Sequence, residues 1–156
     1  MRRRTAQIRQ AQPDPKYNDQ LIGKFIGIIM YEGKKTLAES IVYNAFDILK
    51  KKSADEDVVK VFAKAIENIR PRMQVKSRRV GGSTYQIPME VPPLKGNTIA
   101  LRWIRDLAHA KKGKPMEVKI ADELFAAFKG EGQAIKKRDE THKMAEANQA
   151  FAHLKW

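Results

Sequence analysis

The sequence predicts a mainly α-helical protein: a bundle of about six helices, a protruding two-stranded β-hairpin and an extended basic N-terminal arm. Three observations predict it. Apolar residues recur with helical period in a series of separate segments. One central stretch switches to Val, Thr, Tyr and Ile around a Gly-Gly pair. The start of the chain is basic and broken by proline. A length of 156 residues suits one domain spanning 1–156, and 42% hydrophobic residues suffice to bury a core.

Residues 1–18 carry Arg2, Arg3, Arg4, Arg9 and Lys16 against the single acid Asp14, while Pro13 and Pro15 block helix, so they read as an extended arm. From Asp19 the pattern turns helical. Leu21, Ile22, Phe25, Ile26 and Ile29 share one face, and Gly33 offers a stop. Thr36-Leu37-Ala38-Glu39 has the form of a capping box, followed by a stripe of Leu37, Ile41, Ala45, Ile48 and Leu49 to about Lys52. Ser53-Ala54-Asp55-Glu56 repeats the box, and Val59, Phe62, Ala63, Ile66 and Ile69 carry a third helix to Arg70, where Pro71 ends it.

Residues 72–91 form the hairpin, 72–79 pairing with 83–91 across Gly81-Gly82, and Pro88 demands an edge position. With a two-residue turn, Lys76 and Arg78 share a face with Tyr85 and Ile87; a longer turn puts them on opposite faces. An isolated ribbon is marginal in water, so Met73, Val75, Ile87 and Met89 are expected to dock its base. Pro92-Pro93 and Gly96 read as a connector. Ile99, Ala100, Trp103, Ile104, Leu107 and Ala108 then make a fourth helix ending at Gly113. Pro115 opens a fifth with Ile120, Ala121, Leu124, Phe125 and Phe128, up to Gly130. The last, from about Gln133 to His153, has a thin face of Ile135, Met144, Ala145, Asn148, Phe151 and Ala152.

Thirty-one Lys and Arg against 18 Asp and Glu leave a formal charge of +13, which opposes compaction and is ordinarily offset by a polyanion. The cations cluster on the arm, at Lys34 and Lys35 in a loop, at Arg70, Arg72, Lys76, Arg78 and Arg79 in the hairpin, at Lys111, Lys112 and Lys114 around Gly113, and at Lys136, Lys137, Arg138 and Lys143 on the last helix. Loops and element ends let side chains reach a partner without disturbing packing. Lys50-Lys51-Lys52 instead reads as dipole compensation at a helix C-terminus. From Arg70 to Pro88 there is no acid, and Tyr85 lies among the cations. RNA suits a basic arm, a ribbon and an aromatic, because its irregular regions are recognised by shape, phosphate contact and stacking. No helix reads as a major-groove recognition helix, which makes duplex DNA the second choice.

Chemistry is sparse. The absence of Cys excludes disulfides, thiolate zinc sites and a thiol nucleophile. Gly27 and Gly33-Lys34 miss the spacing of a phosphate-binding loop, and Lys35 stands where Ser or Thr should hold magnesium. His109, His142 and His153 are too dispersed for a helical metal pair and read as surface or packing residues. Asp139 and Glu140 near His142 are flanked by Lys136, Lys137, Arg138 and Lys143, which would keep them ionised, so charge pairing is their expected role. No catalytic residue, metal or cofactor is assigned. A nucleolytic or RNA-modifying enzyme lacks its site. A membrane-bound protein lacks both a span and a helix with opposed basic and exposed apolar faces. Met1-Arg2-Arg3-Arg4 is not followed by the apolar stretch of a signal peptide, so secretion is not expected. Trp103 falls in the fourth apolar stripe and reads as core; Trp156 is left open.

Several long stretches carry a resemblance over essentially the whole chain. They are Pro13-Asp14-Pro15-Lys16-Tyr17, Gly33-Lys34-Lys35, the run from Val75 through Gly81-Gly82 to Gln86, Ala100-Leu101-Arg102-Trp103, Lys136-Lys137-Arg138, Thr141 to Asn148, and Ala150 to His153 with Trp156. In these the chain resembles the bacterial small-subunit ribosomal protein seven family. The resemblance implies a helical protein with a protruding ribbon, cytoplasmic and resident in the small ribosomal subunit. It would bind the 3′ major domain of small-subunit ribosomal RNA early and nucleate assembly of the head. It implies that Lys76, Arg78, Arg79 and Tyr85 lie near exit-site transfer RNA and the messenger path. It also implies ribosomal RNA contact by Arg2, Arg3, Arg4, Arg9, Lys34, Lys35, Arg102 and Lys136 to Arg138, and contact of the C-terminus with neighbouring head and platform proteins. After the ribbon the chain departs from the family's basic pattern with Val91-Pro92-Pro93-Leu94-Lys95, leaving Lys95 as the one candidate there.

Overall fold

The computed structural model describes residues 11–53 and 57–154. Among them are six α-helices, α1 (Gln20–Ile29), α2 (Lys35–Lys52), α3 (Val58–Ile69), α4 (Pro93–Ala110), α5 (Met116–Phe128) and α6 (Gln133–Ala147). A two-stranded sheet of β1 (Met73–Val80) and β2 (Ser83–Glu90) lies between α3 and α4, and a 3₁₀ helix, Gln149–Leu154, closes the described chain. The predicted class is the observed one.

The helices assemble around an aromatic centre. Phe62 of α3 stands 5.5 Å from Phe25 of α1 and 5.3 Å from Phe46 of α2, centroid to centroid. Ile22, Leu49, Ile66, Leu101, Ile104, Ile120 and Leu124 complete a buried cluster to which all six helices contribute, α6 through Ala134 and Ile135. Each large side chain so buried contributes roughly 1.5–3 kcal/mol. α5 packs against both α2 and α3, while α6 packs on α3, α4 and α5 and carries the ribbon against its own side.

Several boundaries differ from those the sequence suggests. α1 stops at Met30, so Gly33 (φ +73°) serves the following turn, in which Lys34 N–H donates to the Tyr31 carbonyl. α2 begins at Lys35 with no side-chain cap, so Thr36 to Glu39 is no capping box; Glu39 instead pairs with Lys35 one turn away. The buried stripe is Ala38, Val42, Ala45, Phe46 and Leu49, one position on from the expected Leu37 and Ile41, and Leu37 is 57% exposed. α3 is capped by Asp57, whose carboxylate accepts the Val59 N–H, while the Ser53 hydroxyl donates back to the Lys50 carbonyl; the rest of the second proposed box, 54–56, lies outside the described residues. Pro92-Pro93 is no connector, because Pro93 is the first residue of α4 and Gly96 is buried within it. Glycine is required there, since a Cβ at 96 would lie 2.7 Å from Cγ of Arg70. The last helix breaks at Asn148, and Met144 is 56% exposed.

The end of the arm is not extended. Asp14 is buried and accepts the backbone N–H groups of Lys16 and Tyr17, and the Tyr43 hydroxyl donates to its other oxygen at 2.7 Å. Burial first, and the adjacent Asp14 carboxylate second, push the Tyr43 phenol well above its usual range. Gly23 lets this turn sit on α1, because a Cβ there would collide with the Gln12 carbonyl. Arg2, Arg3, Arg4 and Arg9 lie outside the described residues.

Replacing Phe62 by Ala removes the ring that joins α1, α2 and α3. It is expected to lower stability by about 3–5 kcal/mol, measured by urea unfolding followed by circular dichroism.

Candidate nucleic-acid interface

Gly81 and Gly82, with φ of +57° and +90°, make a two-residue turn between Val80 and Ser83, and this fixes the ribbon's register. Both angles are ones that side-chain-bearing residues resist. Arg78 stands opposite Tyr85 and Lys76 opposite Ile87, so the four share a face, as the short-turn alternative requires. Met73 and Val75 belong to the other face, hence the four apolar residues expected at the base do not dock together. Ile87 and Pro88 are buried, and the ribbon packs along α6 and the closing 3₁₀ helix. Tyr85 is half-buried with its ring 5.4 Å from Phe151, so it is packed on the protein and not a free aromatic at the tip.

The remaining cations fall into distinct groups. Arg72, Lys76 and Arg79 on the ribbon, Lys136 and Lys143 on α6, and Arg102 on α4 are exposed, and none makes an ion pair with a described residue. Lys137 bridges the last two elements with its ammonium 5.6 Å from the Trp103 ring centroid, a cation–π contact at the edge of the core. Ribbon, α6 and α4 thus carry cations on contiguous elements. Arg78 is half-buried, and the stem of half-buried Arg70 covers Gly96.

Several other cations have acidic partners. Lys34 pairs with Glu32 at 3.0 Å, both side chains exposed, and Lys35 with half-buried Glu39 at 3.5 Å; surface pairs of this kind are worth at most about 1 kcal/mol. Lys34 also lines a groove with Tyr31, Leu37, His109, Met116 and Lys119. Lys16 is exposed, its ammonium 4.8 Å from the Tyr43 centroid. Lys112 is exposed with no described ion pair, whereas its neighbours each have an acidic partner. Lys111 donates at 2.5 Å to Glu123, a buried carboxylate whose other oxygen accepts Ala134 N–H at 2.8 Å. Lys114 and Lys52 both pair with Asp122. Lys111 is thereby tied to a buried carboxylate, whereas Lys114 stays exposed in a surface pair at 3.4 Å. Arg138 likewise turns inward, donating to the Asn68 carbonyl at 2.5 Å and to Asp139 at 2.6 Å.

Glu123 was hidden in the sequence by its charge. It occupies a stripe position beside Ile120, Leu124 and Ala127, where a carboxylate survives burial only because both oxygens are bonded. His142 is a second unanticipated contact, its Nε2 accepting the Arg72 N–H at 3.0 Å. Among the described residues no group of His, Asp and Glu could hold a metal ion, and no helix is long and apolar enough to cross a membrane.

A helical scaffold that holds a cationic ribbon, its one acid the terminal Glu90, against a helix bearing Lys136 and Lys143 has the build of a structural protein. The comparisons with known proteins agree. The family model described as ribosomal protein S7p/S5e matches residues 1–149. Curated relatives named small ribosomal subunit protein uS7 include one from Thermotoga petrophila, 53% identical over 156 residues and all of both chains, and one from Fervidobacterium nodosum, 51% identical over the same span. Another, from Francisella tularensis subsp. novicida, is 52% identical over 155 residues and 99% of each chain. The chain belongs to the ribosomal protein S7p/S5e family; it is a structural constituent of the small ribosomal subunit, not an enzyme.

The Asp122 cluster has a pH signature. Burial opposes ionisation of its carboxyl, but hydrogen bonds and charge from Lys52 and Lys114 outweigh it and hold the group below its ordinary value. A depressed folded value stabilises the fold above the unfolded value of about 4 and is lost as pH falls through the folded one. Asp122→Asn is therefore expected to be less stable than the parent at pH 7, by up to about 1 kcal/mol for this partly exposed site, with the difference shrinking below about pH 4 in thermal melts.

Proposed function

We propose that the chain, acting as a single domain over 1–156, is a primary binder of the 3′ major domain of small-subunit ribosomal RNA and nucleates assembly of the head. Its ribbon would lie near exit-site transfer RNA and the messenger path. Neighbouring head and platform proteins would meet the C-terminal segment. The observation that carries this reading is the ribbon, eight residues per strand with acid only at the terminal Glu90, held on a buried core next to cationic α6. A polyanion is the partner that such an arrangement recognises, and a folded RNA offers phosphates spaced in three dimensions rather than along one groove.

In this reading Arg72, Lys76, Arg78, Arg79, Arg102, Lys136, Lys137 and Lys143 meet phosphates or sugars along the ribbon side. Lys16, Lys34, Lys35, Arg70 and Lys112 contribute elsewhere, as do the arm residues Arg2, Arg3, Arg4 and Arg9. Tyr85 acts by bracing the ribbon on Phe151, with Arg78 opposite it. Lys111, Lys114 and Arg138 serve the RNA indirectly, by fixing α5, α6 and the ribbon base.

Each phosphate neutralised adds about 0.7–0.9 to the slope of log affinity against log salt. Lys76→Ala with Arg79→Ala is expected to reduce that slope by about 1.4–1.8, read by filter binding to a 3′ major domain fragment across a salt series. Lys111→Ala with Lys114→Ala should leave the slope unchanged while lowering stability. Equal slopes for the parent and the ribbon variant would remove the ribbon from the interface.

A further inference from the structure

The geometry points to Arg138 and His142 as positioning residues that set the direction of the ribbon, a two-point clamp in which His142 must be uncharged. The inference deepens the proposed role of the ribbon in RNA binding. Its geometry can nevertheless be tested with no RNA present.

Arg138 and His142 are four residues apart on α6 and so lie on one face of it. Their partners, the Asn68 carbonyl and the Arg72 N–H, are also four apart and bracket Pro71, where α3 hands the chain to β1. The clamp thus grips the crossover on both sides. Asn68 is held independently, its amide donating to the Ala127 carbonyl at 2.9 Å and to that of Phe128 at 3.3 Å, so the fixed point belongs to the bundle and not to the ribbon. On the ribbon side, the Arg72 carbonyl accepts Val91 N–H at 2.9 Å, so holding Arg72 holds both strands.

Leverage makes this matter. Strands of eight residues extend about 26 Å at roughly 3.3 Å per residue, so a tilt of about 10° at the base moves the tip by about 5 Å. Cations displaced that far miss the phosphates they were placed to meet. The Phe151 ring supports Tyr85 part-way along, but it belongs to the short closing segment and is itself carried by the end of α6.

An imidazole nitrogen accepts a hydrogen bond only when it carries no proton, so the Arg72 N–H assigns the proton of neutral His142 to Nδ1. Protonating Nε2 sets N–H against N–H and opens that half of the clamp. The groups around the ring are Arg72 at the ribbon base, Glu146 one turn along α6, and neutral Gln149 of the closing segment. Arg138 and Asp139 lie one turn earlier on α6, while Arg70 and Glu90 border the adjoining cleft. Imidazole is the side chain whose charge ordinarily changes between about pH 5 and 8, and the variants below tie any loosening in that window to His142 itself.

The chain has no cysteine, so spin labels can be placed without background. Ser83→Cys at the ribbon tip with Lys51→Cys at the end of α2 reports the ribbon's direction, and Lys51→Cys with Lys60→Cys reports the bundle. A narrow tip distance at pH 7.5 that broadens at pH 5 is expected in the parent, with the bundle distance unchanged. His142→Ala and Arg138→Met should be broad at both pH values. His142→Gln, which restores an acceptor that does not titrate, should stay narrow at both. A parent that stays narrow at pH 5, or a folded His142→Ala that is narrow at pH 7.5, would overturn the assignment. If His142→Ala fails to fold, the comparison of the parent with His142→Gln across pH decides alone. Any of these failures leaves RNA binding by the ribbon standing.

Discussion

The controlling constraint is charge, because thirteen more cations than acids must be packed into one small protein. Several acids are paired with cations: Glu32 with Lys34, Glu39 with Lys35, Asp122 with Lys52 and Lys114, Glu123 with Lys111, and Asp139 with Arg138. Between Met73 and Met89 there is none to distribute. The fold therefore sorts its cations into a set neutralised by the protein and a set left for something else. The hydrophobic cluster around Phe25, Phe46 and Phe62 supplies the stability against which that uncompensated repulsion is tolerated.

Sorting of this kind explains why neighbouring lysines do different work. Lys111 and Lys112 are adjacent, yet one donates to the buried Glu123 and the other is exposed without a described ion pair. Lys136, Lys137 and Arg138 follow one another on α6, and the helix turns them respectively to solvent, to the face of Trp103 and to the Asn68 carbonyl. A run of basic residues on a helix is a fan and not a patch, since each residue advances the direction by about 100°. On the ribbon, by contrast, side chains alternate between two faces, and Lys76 and Arg78 share one of them.

The helices were legible because their apolar stripes are long, and the ribbon because Gly81-Gly82 admits few alternatives. Boundaries were harder. Thr36 and Ser53 have the chemistry of caps, but Lys35 already lies in helix and Asp57 is the better placed acceptor. Prolines 92 and 93 suggest a break, yet a proline costs nothing at the first position of a helix, where its missing N–H would be unpaired anyway. Within the candidate site, the clustering of cations could be read directly, whereas their orientation could not. Which lysine meets a carboxylate depends on contacts such as Lys52 to Asp122, 70 residues apart. Asp14 shows the same limit, since nothing local marks it as the buried anchor of Tyr43, whereas Glu123 at least sits within an apolar stripe.

Hydroxyl-radical footprinting of small-subunit ribosomal RNA, with and without the protein, tests most directly whether fixed cations on this scaffold recognise a folded RNA. Protected riboses confined to the 3′ major domain, clustered in its fold and fading as salt rises, are the result predicted here. Protection scattered over the whole molecule, or insensitive to salt, would contradict it.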